Sequence, residues 1–147
     1  MNLVIIQLGG VVVVNKSIVE IVTEWDIVAA RQLGRNEAKE IGFNLVDQAR
    51  ITTVISEIAR NIYLYAPAGE ISVERVTDGD RIGIQIIAVD KGQSITDVQR
   101  VMEGRFTASG GLGAGLSGVR RLMDNLEIQT EKGKGKGTII KAEKWLK

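Results

Sequence analysis

Residues 47–66 have the sequence DQARITTVISEIARNIYLYA, and this stretch decides how the chain is built. Four isoleucines recur in it at spacings of four, three and four residues, which places them on one face of an α-helix. They are Ile51, Ile55, Ile58 and Ile62. Such a stripe is typical of a helix that buries one side. Asn44 can cap its start and Asp47 suits its first turn, so we expect a helix from Asn44 to about Tyr65.

The sequence before this helix predicts a strand and another helix. Ser17–Val22 is a short apolar segment typical of a strand. Thr23 and Asp26 have the spacing of a capping box, with Asp in place of the usual Glu, so a helix should begin there. Its apolar positions continue to Ile41, and Gly42 should end it.

After Pro67–Gly69 the hydrophobic period changes to that of a strand. Glu70–Val76 and Arg81–Asp90 are predicted strands, joined by a hairpin turn at Asp78-Gly79. The elements expected beyond them are a short helix near Thr96–Met102, a loop over Gly110–Gly118, a helix through Val119, Leu122 and Met123, and a hairpin of Leu126–Thr130 and Thr138–Trp145.

This order of elements predicts an α+β fold. Strands and helices do not alternate strictly, so we expect a two-layer α/β sandwich with a mixed, mostly antiparallel sheet and helices on one face. No linker rich in proline or serine divides the chain, which predicts one domain over residues 17–147. Residues 1–16 should form an N-terminal extension or an edge strand, which could pair across a homodimer.

The composition excludes several classes of function. The 147 residues carry a formal net charge of +1 and only 4% aromatics, so nucleic acid is not an expected partner. The sequence has no histidine and no cysteine, which excludes a Ser-His-Asp triad, phosphorylation of its own histidine and thiolate catalysis. Met1–Val14 is apolar but shorter than the roughly 20 residues of a membrane span, and it lacks the basic start of a signal peptide. We therefore expect a cytoplasmic protein without a membrane partner.

Polar residues at three places are candidates for chemistry. Glu57 and Asn61 lie four residues apart on one helical face, where they could take a proton and hold hydrated Mg²⁺. Asp90 ends an apolar strand, where it could accept a hydrogen bond from a ligand, and Gly92 would let the backbone approach that ligand. Thr138 opens the last strand. Taken singly, each is more commonly ordinary surface polarity or part of a turn.

The glycine-rich loop is the stronger signal. Five glycines in nine residues are costly in an ordinary loop, but they can point backbone amides at phosphate oxygens. The segment Gly113–Gly118 matches G-x-G-x-x-G, yet no apolar strand leads into it as dinucleotide-binding folds require. The sequence also contains neither a P-loop nor, without histidine, the H-R-D motif of eukaryotic-type kinases.

Taken in order, these motifs resemble those of the GHKL, or Bergerat-fold, ATPases. SEIARN at 56–61 resembles the N box and AVDKGQS at 88–94 the first glycine box. GGLGAGL at 110–116 resembles the lid end and second glycine box, and KGT at 136–138 the last box. Within this superfamily the chain is most similar to the anti-sigma-factor switch kinases of the bacterial stressosome, from about Ser17 to its C-terminus.

The resemblance implies a role for each matching residue. Glu57 would be the general base that activates a substrate hydroxyl, and Asn61 would bind Mg²⁺. Asp90 would bind the adenine amino group, with Gly92 lining the base pocket and Thr138 near the adenine. The residues that would hold phosphate through backbone amides are Gly111, Gly113, Gly115 and Leu116. The implied cofactors are ATP and Mg²⁺.

The resemblance also implies the activity and the partners. It indicates a serine/threonine-protein kinase that phosphorylates STAS-domain antagonist or scaffold proteins and, when released, activates a PP2C-type phosphatase. One residue departs from the family box D-x-G-x-G, because Ser94 stands at its second glycine. A side chain there costs roughly 1 kcal/mol or more if the site needs positive φ or a close ligand. Two alternatives stay open: a docking module that binds nucleotide weakly, or an anti-sigma factor that binds sigma directly.

Overall fold

Two helices pack on an antiparallel sheet whose elements closely follow the sequence pattern. The computed structural model describes residues 6–8, 10–66, 68–91, 118–130 and 137–147. Within these ranges the helices are α1 (Glu24–Ile41) and α2 (Leu45–Tyr65). The strands are β1 (Ile6–Leu8), β2 (Val11–Ile21), β3 (Ala68–Asp78), β4 (Arg81–Lys91), β5 (Asn125–Thr130) and β6 (Gly137–Trp145), and a 3-10 helix spans Arg120–Leu122.

Helix α1 begins and ends at the predicted residues. The Asp26 Oδ2 atom accepts hydrogen bonds from the backbone N–H of Thr23 at 2.7 Å and of Val22 at 2.9 Å, as expected for the acidic member of a capping box. At the other end Gly42 has a φ of 115°, a left-handed conformation that favours glycine, and its N–H donates to the carbonyls of Ala38 and Lys39. A short connection then reverses the chain, so α2 runs back along α1.

Helix α2 carries the apolar face that holds the two layers together. Asn44 caps it by accepting a hydrogen bond from Asp47 N–H at 2.8 Å. All four isoleucines of the predicted stripe are buried, and none is more than 1% exposed. They join one core cluster with buried residues of the sheet, among them Ile71, Val73, Ile84, Ile86, Ala88 and Ile140. This stripe therefore sets the rotation of α2 about its own axis relative to the sheet.

The sheet confirms the predicted α+β sandwich. Its strand order in the described part is β1-β2-β3-β4-β6-β5, and every neighbouring pair is antiparallel. Both helices contribute to the single core cluster on one face of this sheet, as expected. No helix of the described residues is long and apolar enough to cross a membrane.

Two strand predictions need correction. Strand β2 begins at Val11 rather than Ser17, because Val12 and Val13 pair with the end of β3, and it continues without a break past residues 16 and 17. Val22, which the sequence placed in the strand, lies beyond its end. The turn between β3 and β4 consists of Gly79 and Asp80 rather than Asp78 and Gly79, since Asp78 pairs directly with Arg81. Gly79 takes the first turn position with a φ of 61°.

Other predicted elements lie partly or wholly outside the described residues. The helix near Thr96–Met102 and the glycine-rich segment up to residue 117 are among them. After that segment Gly118 and Val119 are helical and the chain continues into the 3-10 helix Arg120–Leu122, so the predicted helix is present at Val119 and Leu122. Met123 is already extended, so the prediction is wrong only at this last residue. The chain leaves the helix there because Asp124 N–H bonds to Glu143 O at 2.9 Å, at the start of the β5–β6 pairing.

The stripe on α2 makes a direct prediction about stability. Ile58→Ala should lower the free energy of unfolding by about 2–5 kcal/mol, since it removes buried methylenes and leaves a cavity. Leu45→Ala, on the same helix but exposed, should change it by no more than about 0.5 kcal/mol. Urea denaturation of both variants measures the difference. Equal losses for the two would contradict the assignment of the stripe as the core.

Candidate functional site

In the part of the chain that the structure describes, buried polar atoms without partners are concentrated on four side chains. Six buried side-chain nitrogen or oxygen atoms of the described residues have no hydrogen-bond partner there, and five of them belong to Glu57, Asn61, Asp90 and Thr138. The sixth is on Gln85, which points to the opposite face of the sheet from the core residues next to it. Folded proteins pair nearly all such atoms, and each one left unpaired costs about 1–3 kcal/mol. The four side chains therefore have the character of a ligand site.

Helix α2 supplies the first two of these side chains. Glu57 and Asn61 are each one residue away from the buried isoleucine stripe, and both are 4% exposed. The Glu57 Oε1 atom lies 3.6 Å from Arg60 Nη1, whereas Oε2 has no partner among the described residues. Asn61 has neither its amide nitrogen nor its oxygen paired within the same ranges. One helical face thus presents a carboxylate oxygen and a complete amide group.

Strands β4 and β6 supply the other two. Asp90 lies directly opposite Thr138 in the antiparallel register. Burial raises the pKa of the Asp90 carboxyl to about 6, and a hydrogen bond from the Thr138 backbone acts in the lowering direction. Asp90 Oδ1 and Thr138 Oγ1 have no partners in the described part of the chain. The Asp90 carboxylate can accept a hydrogen bond from a buried N–H group, and the Thr138 hydroxyl can donate or accept another.

Gly69 allows the helix to approach this end of the sheet. It pairs with Asp90 across the β3–β4 ladder. A Cβ atom at Gly69 would lie 2.8 Å from both Ile62 Cγ2 and Val89 O, too close for a side chain to be accommodated without a shift, and 3.2 Å from Asp90 Cβ, which is a tight contact. Ile62 directly follows Asn61 in α2. The helix turn that carries Asn61 therefore packs against the strand end that carries Asp90, because position 69 has no side chain.

The described residues fit a magnesium ion only as part of a larger ligand set. No group of three or more acidic residues, histidines or cysteines that could hold a metal occurs in the described ranges. Asn61 Oδ1 and Glu57 Oε2 are hard oxygen atoms, of the kind that Mg²⁺ prefers. Mg²⁺ usually takes one or two protein ligands and completes its shell with water and substrate phosphates. The residues present fit that pattern.

The remaining predicted site residues lie outside the part of the chain that the structure describes. They are Gly92, Gly111, Gly113, Gly115 and Leu116, together with Ser94 of the first glycine box. Their roles stay predictions. The polar residues Glu57, Asn61, Asp90 and Thr138 are all described and all buried.

Sequence reasoning missed two residues beside this site. Arg60 contacts Glu57, and its signal was the spacing of three residues that brings acid and base side chains together on a helix. Gly69 directly precedes the predicted strand Glu70–Val76, and the sequence pattern indicated no role for it beside the site. Its signal was a glycine at the edge of a strand pattern, which often marks a close approach of another element.

Comparisons with known proteins give the family context of this geometry. The family model described as "Histidine kinase-, DNA gyrase B-, and HSP90-like ATPase" matches residues 46–146. That range begins in α2 and contains all four buried polar residues of the site.

Individual relatives are similar over most of the chain. The serine/threonine-protein kinase RsbT of Bacillus subtilis (strain 168) is 60% identical over 133 residues, which cover 90% of this chain and 98% of that protein. The anti-sigma F factor of Thermoanaerobacter sp. (strain X514) is 28% identical over 115 residues, covering 74% of this chain and 78% of that protein. The structure of the SiaB–SiaC complex from Pseudomonas aeruginosa matches with a TM-score of 0.59 at 14% identity, covering 91% of each chain, which shows a shared fold.

The raised pKa of Asp90 predicts how stability depends on pH. Between about pH 4 and pH 6 the Asp90 carboxyl is more protonated in the folded protein than in the unfolded chain, so its contribution to the free energy of unfolding falls as pH rises. Asp90→Asn removes this dependence. Relative to wild type, the free energy of unfolding of this variant should therefore rise by at most about 3 kcal/mol between about pH 4 and pH 8.

Urea titrations at several pH values measure this gain, and Asp26→Asn is the control. A backbone hydrogen bond lowers the pKa of Asp26, so its stabilising effect is lost only as pH falls below its ordinary range. The difference between Asp26→Asn and wild type should therefore stay constant over the same interval. A flat profile for Asp90→Asn relative to wild type would show that the Asp90 carboxyl titrates normally.

Proposed function

The chain belongs to the family of histidine kinase-, DNA gyrase B- and HSP90-like ATPases, and on that premise we propose that it is an ATP-dependent serine/threonine-protein kinase acting on STAS-domain proteins. The observation that carries the proposal is the set of five buried polar atoms on Glu57, Asn61, Asp90 and Thr138 that have no hydrogen-bond partner among the described residues. These atoms match the needs of a nucleotide, because they offer acceptors for a base and oxygen ligands for a metal.

Asp90 and Thr138 are the proposed base-binding pair. The unpaired Asp90 Oδ1 can accept a hydrogen bond from the adenine amino group, and the Thr138 hydroxyl can bind the ring directly or through water. The carboxyl is the stronger acceptor when ionised. Since burial raises its pKa to about 6, ATP binding should strengthen as pH rises through that value.

Asn61 is the proposed protein ligand of Mg²⁺. Its side-chain oxygen is buried and unpaired among the described residues, and it lies one helical turn from Glu57. When bound, Mg²⁺ neutralises charge on the phosphates. We propose that backbone amides of Gly111, Gly113, Gly115 and Leu116 hold the phosphates and that Gly92 lines the base pocket, by the family resemblance of these positions.

Glu57 is the proposed general base. Its unpaired Oε2 can take the proton of a serine or threonine hydroxyl on the protein substrate. The hydroxyl oxygen then bonds to the γ-phosphorus of ATP, the bond from that phosphorus to the β,γ-bridging oxygen breaks, and ADP leaves. Phosphoryl transfer requires mainly positioning and charge neutralisation, so a chain without histidine can supply what it needs.

The proposed partners are those that the family resemblance implies, and two relatives are compatible with a kinase that acts on other proteins. B. subtilis RsbT is named as a serine/threonine-protein kinase, and the Pseudomonas neighbour was solved as a complex of two proteins. We propose STAS-domain proteins as substrates and a PP2C-type phosphatase as the protein activated by the released kinase. We also propose that the protein is cytoplasmic and that a homodimer could form through β1, which is an edge strand of the sheet.

A second candidate function is a docking module with weak nucleotide binding. Ser94 favours it, because a side chain stands where the family box has its second glycine. The same module could also act as an anti-sigma factor, as the name of the Thermoanaerobacter relative indicates for that protein.

Glu57→Gln tests the catalytic role. The variant keeps the size of the side chain but cannot take the proton, so transfer from ATP to a STAS-domain protein should fall about 10²- to 10⁴-fold. The ATP dissociation constant should change by less than about threefold, since Glu57 is not proposed to hold the base. Radiolabel transfer and calorimetric titration measure the two quantities. Glu40→Gln, an exposed carboxylate on α1, is the matched control, and an unchanged rate for Glu57→Gln would disprove its role as base.

Ser94→Gly distinguishes the kinase from the docking module. If the serine blocks the nucleotide, ATP binding in the presence of Mg²⁺ should appear or tighten about tenfold in the variant. If the kinase is active as it stands, wild type and variant should bind ATP alike. Pull-down of purified sigma factors by the wild type tests the anti-sigma alternative separately.

A further inference from the structure

Arg60 connects the buried Glu57 with an open groove on the protein surface. The groove lies between the start of α1 and the end of α2 and has a volume of about 340 Å³. Its lining residues are Glu24, Ile27, Val28, Arg31, Arg60, Tyr63 and Leu64. We name this the helix-end groove. Arg60 is the lining residue that also forms a salt bridge with Glu57, at 3.6 Å.

The apolar part of the helix-end groove is suited to a protein segment. Val28, Tyr63 and Leu64 are exposed although they are apolar or aromatic, and Trp25, one turn before Val28, is 79% exposed. Exposed apolar residues grouped in this way, with polar neighbours, are typical of protein–protein contact sites. Aromatic residues and arginine are also the types most enriched where such contacts contribute strongly to affinity.

The charges of the groove select an acidic segment. Two arginines, Arg31 and Arg60, and one acidic residue, Glu24, line the groove, and no salt bridge joins Arg31 to another described residue. Arginine binds carboxylates through two parallel hydrogen bonds, which fixes both position and orientation. A substrate segment with an acidic side chain among apolar ones is therefore complementary to this groove.

The contact between Arg60 and Glu57 is loose. Its 3.6 Å separation is longer than a charge-assisted hydrogen bond, which spans about 2.7–2.9 Å. The Arg60 side chain is 35% exposed while that of Glu57 is only 6% exposed. The guanidinium can therefore turn toward a second carboxylate in the groove without uncovering the buried acid, and one cation can contact both.

We propose that Arg60 is a positioning residue that couples substrate docking to Glu57. In this proposal, which rests on the proposed kinase function, an acidic side chain of the STAS-domain substrate binds Arg60 in the helix-end groove. The same guanidinium orients the Glu57 carboxylate toward the acceptor hydroxyl of that substrate. Arg60 thereby makes transfer depend on a correctly docked protein rather than on any hydroxyl compound.

Arg60→Ala is the first test. Its substrate is the STAS-domain protein that the wild type phosphorylates most efficiently in the radiolabel transfer assay. We expect KM for that protein to rise about tenfold or more. We expect kcat to fall about tenfold, because Glu57 loses its orienting contact. KM for ATP should stay unchanged, a separation that general damage to the fold would not produce. Arg60→Lys, which keeps the charge, should recover most of kcat and part of the affinity.

Arg50→Ala is the matched control, because Arg50 forms a salt bridge of the same spacing with Asp47 on the same helix, outside the groove. It should behave like the wild type. Equal losses in Arg50→Ala and Arg60→Ala, or unchanged KM and kcat in Arg60→Ala, would overturn the proposal.

Neutralising acidic residues of the substrate provides the second test. Asp→Asn or Glu→Gln changes near the phosphoacceptor should raise KM about tenfold with wild-type enzyme and leave it unchanged with Arg60→Ala. Equal effects with both enzymes would show that no substrate carboxylate meets Arg60.

Titration of the two purified proteins without ATP separates this inference from the kinase assignment. If the wild type transfers no phosphate, the proposed function fails, but docking is still measured as a dissociation constant. Weakening by Arg60→Ala of about tenfold supports the groove as the docking site. Binding unchanged by Arg60→Ala would exclude the groove even if the enzyme is active.

Discussion

The burial of the isoleucine stripe on α2 is the constraint on which the site depends. Because Ile55, Ile58 and Ile62 must face the sheet, the rotation of the helix about its own axis is set. Glu57 and Asn61 each precede one of these isoleucines, so they lie at the border of the core rather than inside it or on the open surface. A rotation by one residue, about 100°, would remove the carboxylate and the amide from the site together.

Within the described residues, the site contains buried polar atoms without partners, at a cost that the core must offset. Five buried atoms have no partners among the described residues and cost about 1–3 kcal/mol each, so that only their sum is comparable to the net stability of a domain. Burial of Asp90 also has a cost, because it disfavours the charged carboxylate and raises its pKa to about 6. Such groups are retained where a ligand restores their hydrogen bonds. The full burial of the isoleucine stripe provides the opposing gain in stability.

The helical hairpin has three surfaces with different tasks. One side of α2 forms the core with the sheet, and a neighbouring side carries Glu57 and Asn61. The third surface, where the end of α2 meets the start of α1, is the helix-end groove. Arg60 lies between the second and third surfaces, because residue 60 follows Glu57 by three positions, almost one helical turn. In a kinase without histidine, in which positioning dominates catalysis, this arrangement would connect recognition of a protein to the proposed base Glu57.

The sequence alone determined the two described helices, the core stripe and the candidate polar residues, because capping residues and hydrophobic periods are local properties. The caps at Thr23, Gly42 and Asn44 lie where their chemistry predicts. Only the tertiary structure decided what depends on contacts between distant segments. The extent of β2 follows from pairing with β3, and the approach of α2 to Asp90 follows from the missing side chain of Gly69. No local pattern contains such contacts, since the atoms that meet are far apart in the chain.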